Sequence, residues 1–316
     1  MRAAVCVRAG GPEVLEIREV PVPAVREGWS LVRVMGAGLN RSELRTRQGH
    51  SPDVRFPRVL GIECVGTVAE STDPGVPEGT TVAAVMGEMG RAFDGGYAEY
   101  ALLPTERLMP LETHLDWEVL GALPETFLTA RGSLDVMGLQ EGQSLLVRGA
   151  GSSVGLAALG LGAAAGLHVI GTTRDPHKAD FLRQRGADDV LVDQGRIAGA
   201  DVDGVLDLVG GTALLDALKA VAPGGIVCAT GLLGGTWVID GFEPMGEIPT
   251  GVKLTTFGSA VIAGERWVEA LQEIVDLVEE GRVHANLDRT YALDEIAAAH
   301  AYMEANRATG KVVGIP

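Results

Sequence analysis

The sequence predicts an α/β protein made of a small antiparallel barrel and a doubly wound parallel sheet, and three observations carry that expectation. Short β-type runs broken by Gly and Pro fill the stretch from Met1 to about Pro110. From about Leu120 to Ser259, apolar strand-like runs alternate with helical stretches. One of those runs, Ser144 to Gly155 (SLLVRGAGSSVG), ends in a glycine- and serine-rich turn and feeds directly into the small-residue segment LAALGLGAAAG. That is strand, tight turn, helix.

Taken in order, the first part offers RAAVCV, LEIREV, WSLVRVMG, IECVGTVAE, TTVAAVMG and YAEYALL as strands, with Pro21, Pro23, Pro74 and Pro77 at turns. Among them Ala37-Gly38-Leu39-Asn40-Arg41-Ser42-Glu43-Leu44 reads as a polar cluster at a strand end. The loop RTRQGHSPDVRFP follows it, a mix of amide, hydroxyl and charge of the kind that lines sites. The second part offers SLLVRG, LHVIGT, DDVLVD, VDGVLDLVG, GGIVCATG and VKLTTFG as strands of the parallel sheet. Two amphipathic helices close the chain. The first carries Trp267, Leu271, Ile274 and Leu277 at helical spacing and stops at Gly281; the second runs from about Asp294 to Arg307. Both stripes read as core faces.

With 316 residues the chain has room for two domains. Its net charge of −16 argues against a nucleic-acid partner, whose phosphates would be repelled. No apolar run reaches membrane-spanning length, and the start, MRAAVCVRAGGPEVLEI, reads as a first strand rather than a secretion signal. Cys6, Cys64 and Cys228 are dispersed through apolar runs, as reduced core thiols are, so a cytoplasmic location is expected.

The glycine turn is where chemistry first shows. A turn of this kind presents unpaired backbone N–H groups at a helix start, where the positive end of the helix dipole favours an anion such as a dinucleotide pyrophosphate. Gly149, Gly151 and Gly155, spaced G-x-G-x-x-x-G, let the backbone come close to such a ligand. About 20 residues on, where a dinucleotide site puts its ribose-reading residue, the run LHVIG closes with Thr172, Thr173 and Arg174 and no carboxylate. Hydroxyls, Arg174 and nearby Lys178 suit a 2′-phosphate, so the expected cofactor is NADP(H). The competing reading is that Arg174, Lys178 and Arg183 decorate a solvated helix start.

The chain resembles the medium-chain dehydrogenase/reductases, in particular the zinc-independent quinone oxidoreductase branch that includes the zeta-crystallin-like proteins. The residues that carry the resemblance are Gly38-Leu39-Asn40-Arg41-Ser42 with Arg47-Gln48-Gly49, Gly61-Ile62-Glu63-Cys64-Val65-Gly66, and Gly95-Gly96-Tyr97-Ala98-Glu99-Tyr100. Leu123-Pro124, Thr126-Phe127-Leu128-Thr129-Ala130, the glycine turn, Asp207-Leu208-Val209-Gly210-Gly211 and Gly310-Lys311-Val312-Val313 continue it over nearly the whole length. It implies a GroES-like barrel domain at 1–121 and 264–316, a Rossmann NADP(H)-binding domain at 122–263, and an active cleft between them.

By the same resemblance, Asn40 and Thr129 lie near the nicotinamide, and Gly151, Ser152, Ser153 and Val154 hold the pyrophosphate. Thr173, Arg174 and Lys178 bind the 2′-phosphate, and Val209-Gly210 and Thr230-Gly231 border the cofactor ribose. Zinc-dependent relatives have a Cys in the stretch occupied here by Leu39-Asn40-Arg41-Ser42 and a His where Ile62 precedes Glu63, and the four-cysteine lobe is missing. Two of the three ligands a catalytic zinc needs are therefore absent, and no metal is expected. Glu63 reads as a buried structural carboxylate. Two further departures are Arg45 and Asp193, where many relatives have tyrosines; an Asp193 facing the adenosine end would weaken NADPH preference.

Without a metal, the reaction implied is hydride delivery from reduced nicotinamide to an acceptor that is already electrophilic, a quinone or similar conjugated carbonyl. Enoyl thioester or enone reduction is the alternative, and a non-catalytic NADPH-binding redox sensor, which the Arg45 departure permits, is a third. No side chain stands out as a proton donor. The edge of the parallel sheet near Thr236 to Phe242 and Val252 to Phe257 is expected to pair two chains into a homodimer.

Overall fold

The structure, a computed structural model, describes every residue of the chain except Pro52 and Ala198. Each apolar run of the first part becomes a strand. With two short strands outside those runs, β4 and β8, the chain order is β1 (Arg2–Cys6), β2 (Leu15–Glu19), β3 (Trp29–Leu39), β4 (Arg58–Val59), β5 (Glu63–Ser71), β6 (Thr81–Val85), β7 (Tyr100–Pro104) and β8 (Met109–Pro110). Helix α1 (Arg41–Arg47) follows β3, and α2 (Trp117–Leu120) and α3 (Pro124–Met137) follow β8.

The second part alternates as expected: β9 (Ser144–Arg148), α4 (Ser153–Ala164), β10 (His168–Thr173), α5 (Ala179–Arg183), β11 (Asp189–Val192), β12 (Val202–Asp207), α6 (Ala213–Leu218) and β13 (Val221–Ala229). Then come α7 (Pro244–Glu247), β14 (Lys253–Thr256), α8 (Glu265–Glu279), β15 (Leu287–Ala292), α9 (Ile296–Glu304) and β16 (Lys311–Ile315).

The chain divides into two units, one of residues 1–128, 260–279 and 285–316, the other of residues 129–259 and 280–284. In the first, a sheet ordered β15-β16-β3-β5-β6-β8, with β7 also on β3, adjoins a small sheet β2-β1-β4. Pairing is antiparallel throughout except between β15 and β16, which run parallel. Val32, Val34, Leu39, Leu60, Tyr97, Leu103, Ile296 and Val312 belong to its core. This is the antiparallel domain that the strand pattern predicted, in the GroES-like form that the resemblance implied.

In the second unit six strands run in the order β11-β10-β9-β12-β13-β14, all parallel. Leu145, Leu146 and Val147 of β9 have no exposed surface, as a central strand covered on both faces requires. The chain order reverses direction beside β9, with β10 on one flank and β12 on the other, which is the switch point of a Rossmann sheet.

Three local expectations are corrected. The segment read as a loop after Leu44 begins later: Arg41–Arg47 is helical, with Leu44 inside and Glu43 and Arg47 buried as well. Thr236 to Phe242 is not a strand, so that the sheet edge consists of β14 alone. The last helix is shorter than its pattern, a single 3-10 turn (Leu293–Glu295) leading into α9, and the chain after it returns to the first sheet as β16 beside β3.

Candidate active site

In the first unit the polar cluster forms where β3 ends. Asn40 is extended and precedes α1, yet its side chain caps no helix amide, because other groups engage it. Its Nδ2 donates to Glu63 Oε1 at 2.8 Å, and its Oδ1 accepts from Lys311 Nζ at 2.6 Å. Lys311 also donates to Glu63 Oε1 at 2.5 Å, and both partners of that ion pair are about 1% exposed. The remaining Glu63 oxygen accepts the Glu125 N–H, at the start of α3, at 2.9 Å. Glu63 is thus the buried carboxylate expected from the sequence, and its counter-charge is Lys311. A Cβ on Gly38 would collide with the Glu63 carboxylate and the Lys311 stem, so the cluster fits only because that position has none. Asn40 is the half-exposed end of this network, its carboxamide fixed by a donor on one side and an acceptor on the other.

Behind it lies a second layer of buried titratable groups. Glu43 Oε1 accepts from the Ile62 N–H at 3.1 Å, and burial pushes its carboxyl up to about 7 against that bond and the Lys311 charge. Burial also holds the Tyr97 hydroxyl well above its ordinary range, with Glu43 and Glu63 adding to the effect. Tyr97 Oη lies 3.3 Å from His300 Nε2, and burial, helped by the Arg47 charge, pushes that imidazole down to about 3. Arg47, itself fully buried, pairs with Glu304.

In the second unit the predicted residues gather at the carboxyl ends of adjacent strands. β9 is followed by Gly149, whose φ of 85° is in the left-handed region, and its N–H donates to Thr172 Oγ1 at 3.1 Å. Ser152 caps α4: its hydroxyl accepts from the Gly155 N–H at 3.1 Å and donates to the Gly149 carbonyl at 2.9 Å. A Cβ on Gly155 would stand 2.6 Å from the Gly149 carbonyl and 2.7 Å from Ala150 Cα, whereas one on Gly151 would meet nothing within 4 Å. Gly151, Ser152, Ser153 and Val154 are all half-exposed at the helix start, and the helix is buried from Gly155 to Gly162.

At the end of β10, the Thr173 hydroxyl is turned into its own turn, exchanging 3.1 Å bonds with the backbone of Asp175. Arg174 is exposed and Lys178 half-buried. At the ends of β12 and β13, Asp207 ties the two loops together. Its carboxylate accepts from the Val209 N–H at 2.9 Å and the Gly210 N–H at 3.2 Å, and its carbonyl accepts from the N–H groups of Thr230 and Gly231 at 3.0 and 3.1 Å. Burial raises the Asp207 carboxyl above its usual range against the pull of those donors. Ser133 links the last predicted pair, with Oγ 2.9 Å from Thr230 Oγ1 and 2.8 Å from the Thr129 carbonyl.

Asp193 stands just past the end of β11 and is engaged there. It accepts from Arg148 Nε at 2.9 Å and from Nη2 at 3.3 Å, a forked ion pair that sequence reading missed. The available signal was a lone Arg closing an apolar strand ahead of the glycine turn. Lys311 and Glu43 were missed as site residues too, although both stand inside motifs singled out above. Among the described residues no three His, Cys, Asp or Glu side chains gather as a metal site.

Known proteins agree with this architecture. Residues 26–113 match the family model of the alcohol dehydrogenase GroES-like domain, and residues 177–313 that of zinc-binding dehydrogenases. The chain is 31% identical to a quinone oxidoreductase of Pseudomonas aeruginosa over 97% of each chain. It is 30% identical, over 96% of its own length, to a stretch making up 14% of a spectinabilin polyketide synthase system protein of Streptomyces orinoci. A mycobacterial structure solved with NADPH superposes with a TM-score of 0.87 at 26% identity, with both chains covered completely. The chain therefore belongs to the medium-chain dehydrogenase/reductase superfamily, in its quinone oxidoreductase branch, and is an oxidoreductase.

Proposed function

We propose that this oxidoreductase uses NADPH, works without zinc, and reduces a quinone or similar conjugated carbonyl. The observation that carries the cofactor reading is the carboxyl edge of the parallel sheet. There the half-exposed helix start Gly151–Val154, which follows β9, stands beside the end of the adjacent strand β10, with Arg174 exposed and no carboxylate among Thr172, Thr173 and Arg174. The residues fit the group: amides of the first turn of α4 have no intrahelical partner, and Gly151 leaves open space beside them.

When bound, the reduced nicotinamide supplies the hydride. The chain's own residues bind and orient. Ser152 fixes the helix start, Arg174 and Lys178 take the 2′-phosphate, and Val209, Gly210, Thr230 and Gly231, held by Asp207, border the ribose. Asn40 and Thr129 attend the nicotinamide, with Asn40 held in one orientation by Glu63 and Lys311. Zinc has no ligand set here, since Asn40-Arg41-Ser42 and Ile62 occupy the positions where relatives present Cys and His. We place the protein in the cytoplasm, in keeping with three buried, unpaired thiols, of which burial pushes Cys6 up to about 11 and Cys64 to about 12. Among the described residues no helix is long and apolar enough to cross a membrane.

A second reading, reduction of an enoyl thioester, is favoured by the polyketide synthase match, because such synthases carry their chains as thioesters. The experiment is a set of NADPH and NADH binding titrations on chelator-dialysed wild type, Arg174→Ala and Lys178→Ala, followed by turnover against quinones and enoyl thioesters. A charge-assisted phosphate contact contributes about 1.5–3 kcal/mol, so each substitution should weaken NADPH roughly tenfold to a hundredfold and leave NADH nearly unchanged. Activity lost on dialysis and restored by zinc would refute the metal-free reading. An unchanged cofactor ratio in both variants would refute the phosphate site. Turnover of thioesters alone would select the second reading.

A further inference from the structure

Arg148 is the last residue of β9, 2% exposed, directly after the buried run Leu145-Leu146-Val147. All three nitrogens of its guanidinium are engaged. Nε and Nη2 fork onto the Asp193 carboxylate at 2.9 and 3.3 Å, while Nη1 donates to the Ala213 carbonyl at 2.7 Å and lies 3.1 Å from Asp216 Oδ2. Asp193 follows β11, its N–H donates to the Thr173 carbonyl at 2.8 Å, and its Oδ1 also accepts the Gly195 N–H at 2.8 Å.

The topology gives this ion pair its meaning. β10 lies between β9 and β11, paired in register with both. An ion pair that joins the ends of β9 and β11 therefore crosses the carboxyl end of β10, directly at Thr173, where Arg174 begins. An unpaired carboxylate at that point would favour a ribose 2′-hydroxyl and repel a 2′-phosphate.

Resting on the NADPH reading above, we propose that Arg148 determines cofactor specificity as a positioning residue. It binds the Asp193 carboxylate on both oxygens and so withholds a negative charge from the 2′-phosphate site at the end of β10. Arg148 makes no contact with the cofactor in this role; it acts through Asp193. The chain thus keeps an acidic residue beside the ribose-reading position without the preference for NADH that the acid would otherwise confer.

The test measures dissociation constants for NADPH and NADH at fixed salt, with thermal melts, on wild type, Arg148→Met, Asp193→Asn and the double variant. Arg148→Met should lower the NADPH-to-NADH affinity ratio by about tenfold, the effect of one uncompensated charge near the phosphate. The double variant should return the ratio to the wild-type value, because the charge beside the end of β10 is gone, while Asp216, which loses the same partner, lies on α6 after β12. A purely structural ion pair would lower the melting temperature and weaken both cofactors alike, leaving the ratio in place, and that result overturns the proposal. If Arg148→Met does not fold, Asp193→Asn decides alone. A ratio within about twofold of wild type supports a carboxylate already neutralised, whereas a tenfold rise means that Asp193 repels the phosphate despite Arg148. The wild-type ratio itself tests the NADPH reading, and the change between variants tests this one, so the two failures are separable.

Discussion

Two buried groups in the first unit titrate in opposite senses, and their opposition sets a pH response. Glu43 has its carboxyl raised from its ordinary 4.5 to about 7, and His300 its imidazole lowered from 6.5 to about 3. Between pH 4.5 and 6.5 the unfolded chain releases the Glu43 proton that the folded chain retains, so this group costs stability as pH rises. In the same window the unfolded chain holds a proton on His300 that the folded chain refuses, so that group costs stability as pH falls. Each slope is at most about 1.4 kcal/mol per pH unit, and the two cancel. Glu43→Gln should therefore make stability, relative to wild type, rise with pH across that window. His300→Gln should make it fall. Denaturant melts at half-unit pH steps measure both, and variant-minus-wild-type differences that stay flat with pH would exclude this account. Of these two groups only His300 contributes a slope below the window, and its share of the stability declines as the pH approaches 3.

At the scale of the element, the strand–turn–helix unit separates what folding needs from what binding needs. A methyl on Gly155 would press on the backbone of Gly149 and Ala150, so Gly155→Ala should cost about 1–3 kcal/mol as the turn shifts. Gly151 has a backbone any residue can adopt and open space around its Cβ position. Gly151→Ala should keep the wild-type melt, or gain a few tenths of a kcal/mol, while weakening NADPH by about tenfold at the approach to the helix start. Equal binding by Gly151→Ala and wild type would mean that no ligand comes close there. This unit was legible in the sequence because strand, turn and helix each carry a local signature, and the alternation of β9 to β13 followed from the same signatures. Helix α1 was not, since four of its seven residues are Arg or Glu and two of those charges, Glu43 and Arg47, are buried by partners elsewhere. The Lys311–Glu63–Asn40 cluster and the Arg148–Asp193 fork were hidden for a related reason. Their partners lie 248, 271 and 45 positions apart, and no local pattern reports a contact of that range.

For the molecule as a whole, the open question that the fold poses is how its parallel sheet ends. β14 is an edge strand of four residues hydrogen-bonded only to β13, and the segment that leads into it exposes Trp237 at 64%, Val238 at 71% and Met245 at 90%. Large apolar side chains at that exposure beside an unpaired edge favour association over solvation, each contributing about 1.5–3 kcal/mol if fully buried. Lys253 on the strand works against pairing, as edge lysines do, so the flanking apolar residues must supply the surplus. The other edge, β11, exposes Val192 to 39% and is bordered by the charges of Asp188 and Asp189. We therefore expect a homodimer formed through the β14 side. Light scattering should give twice the chain mass for wild type and for Val192→Glu, and a single chain mass for Val238→Glu with its melt retained. A wild-type monomer at micromolar concentration would exclude the dimer. A monomer produced by Val192→Glu instead would move the interface to the β11 edge, next to the end of β10, where pairing would change the surroundings of Asp193 and the cofactor ratio would depend on protein concentration.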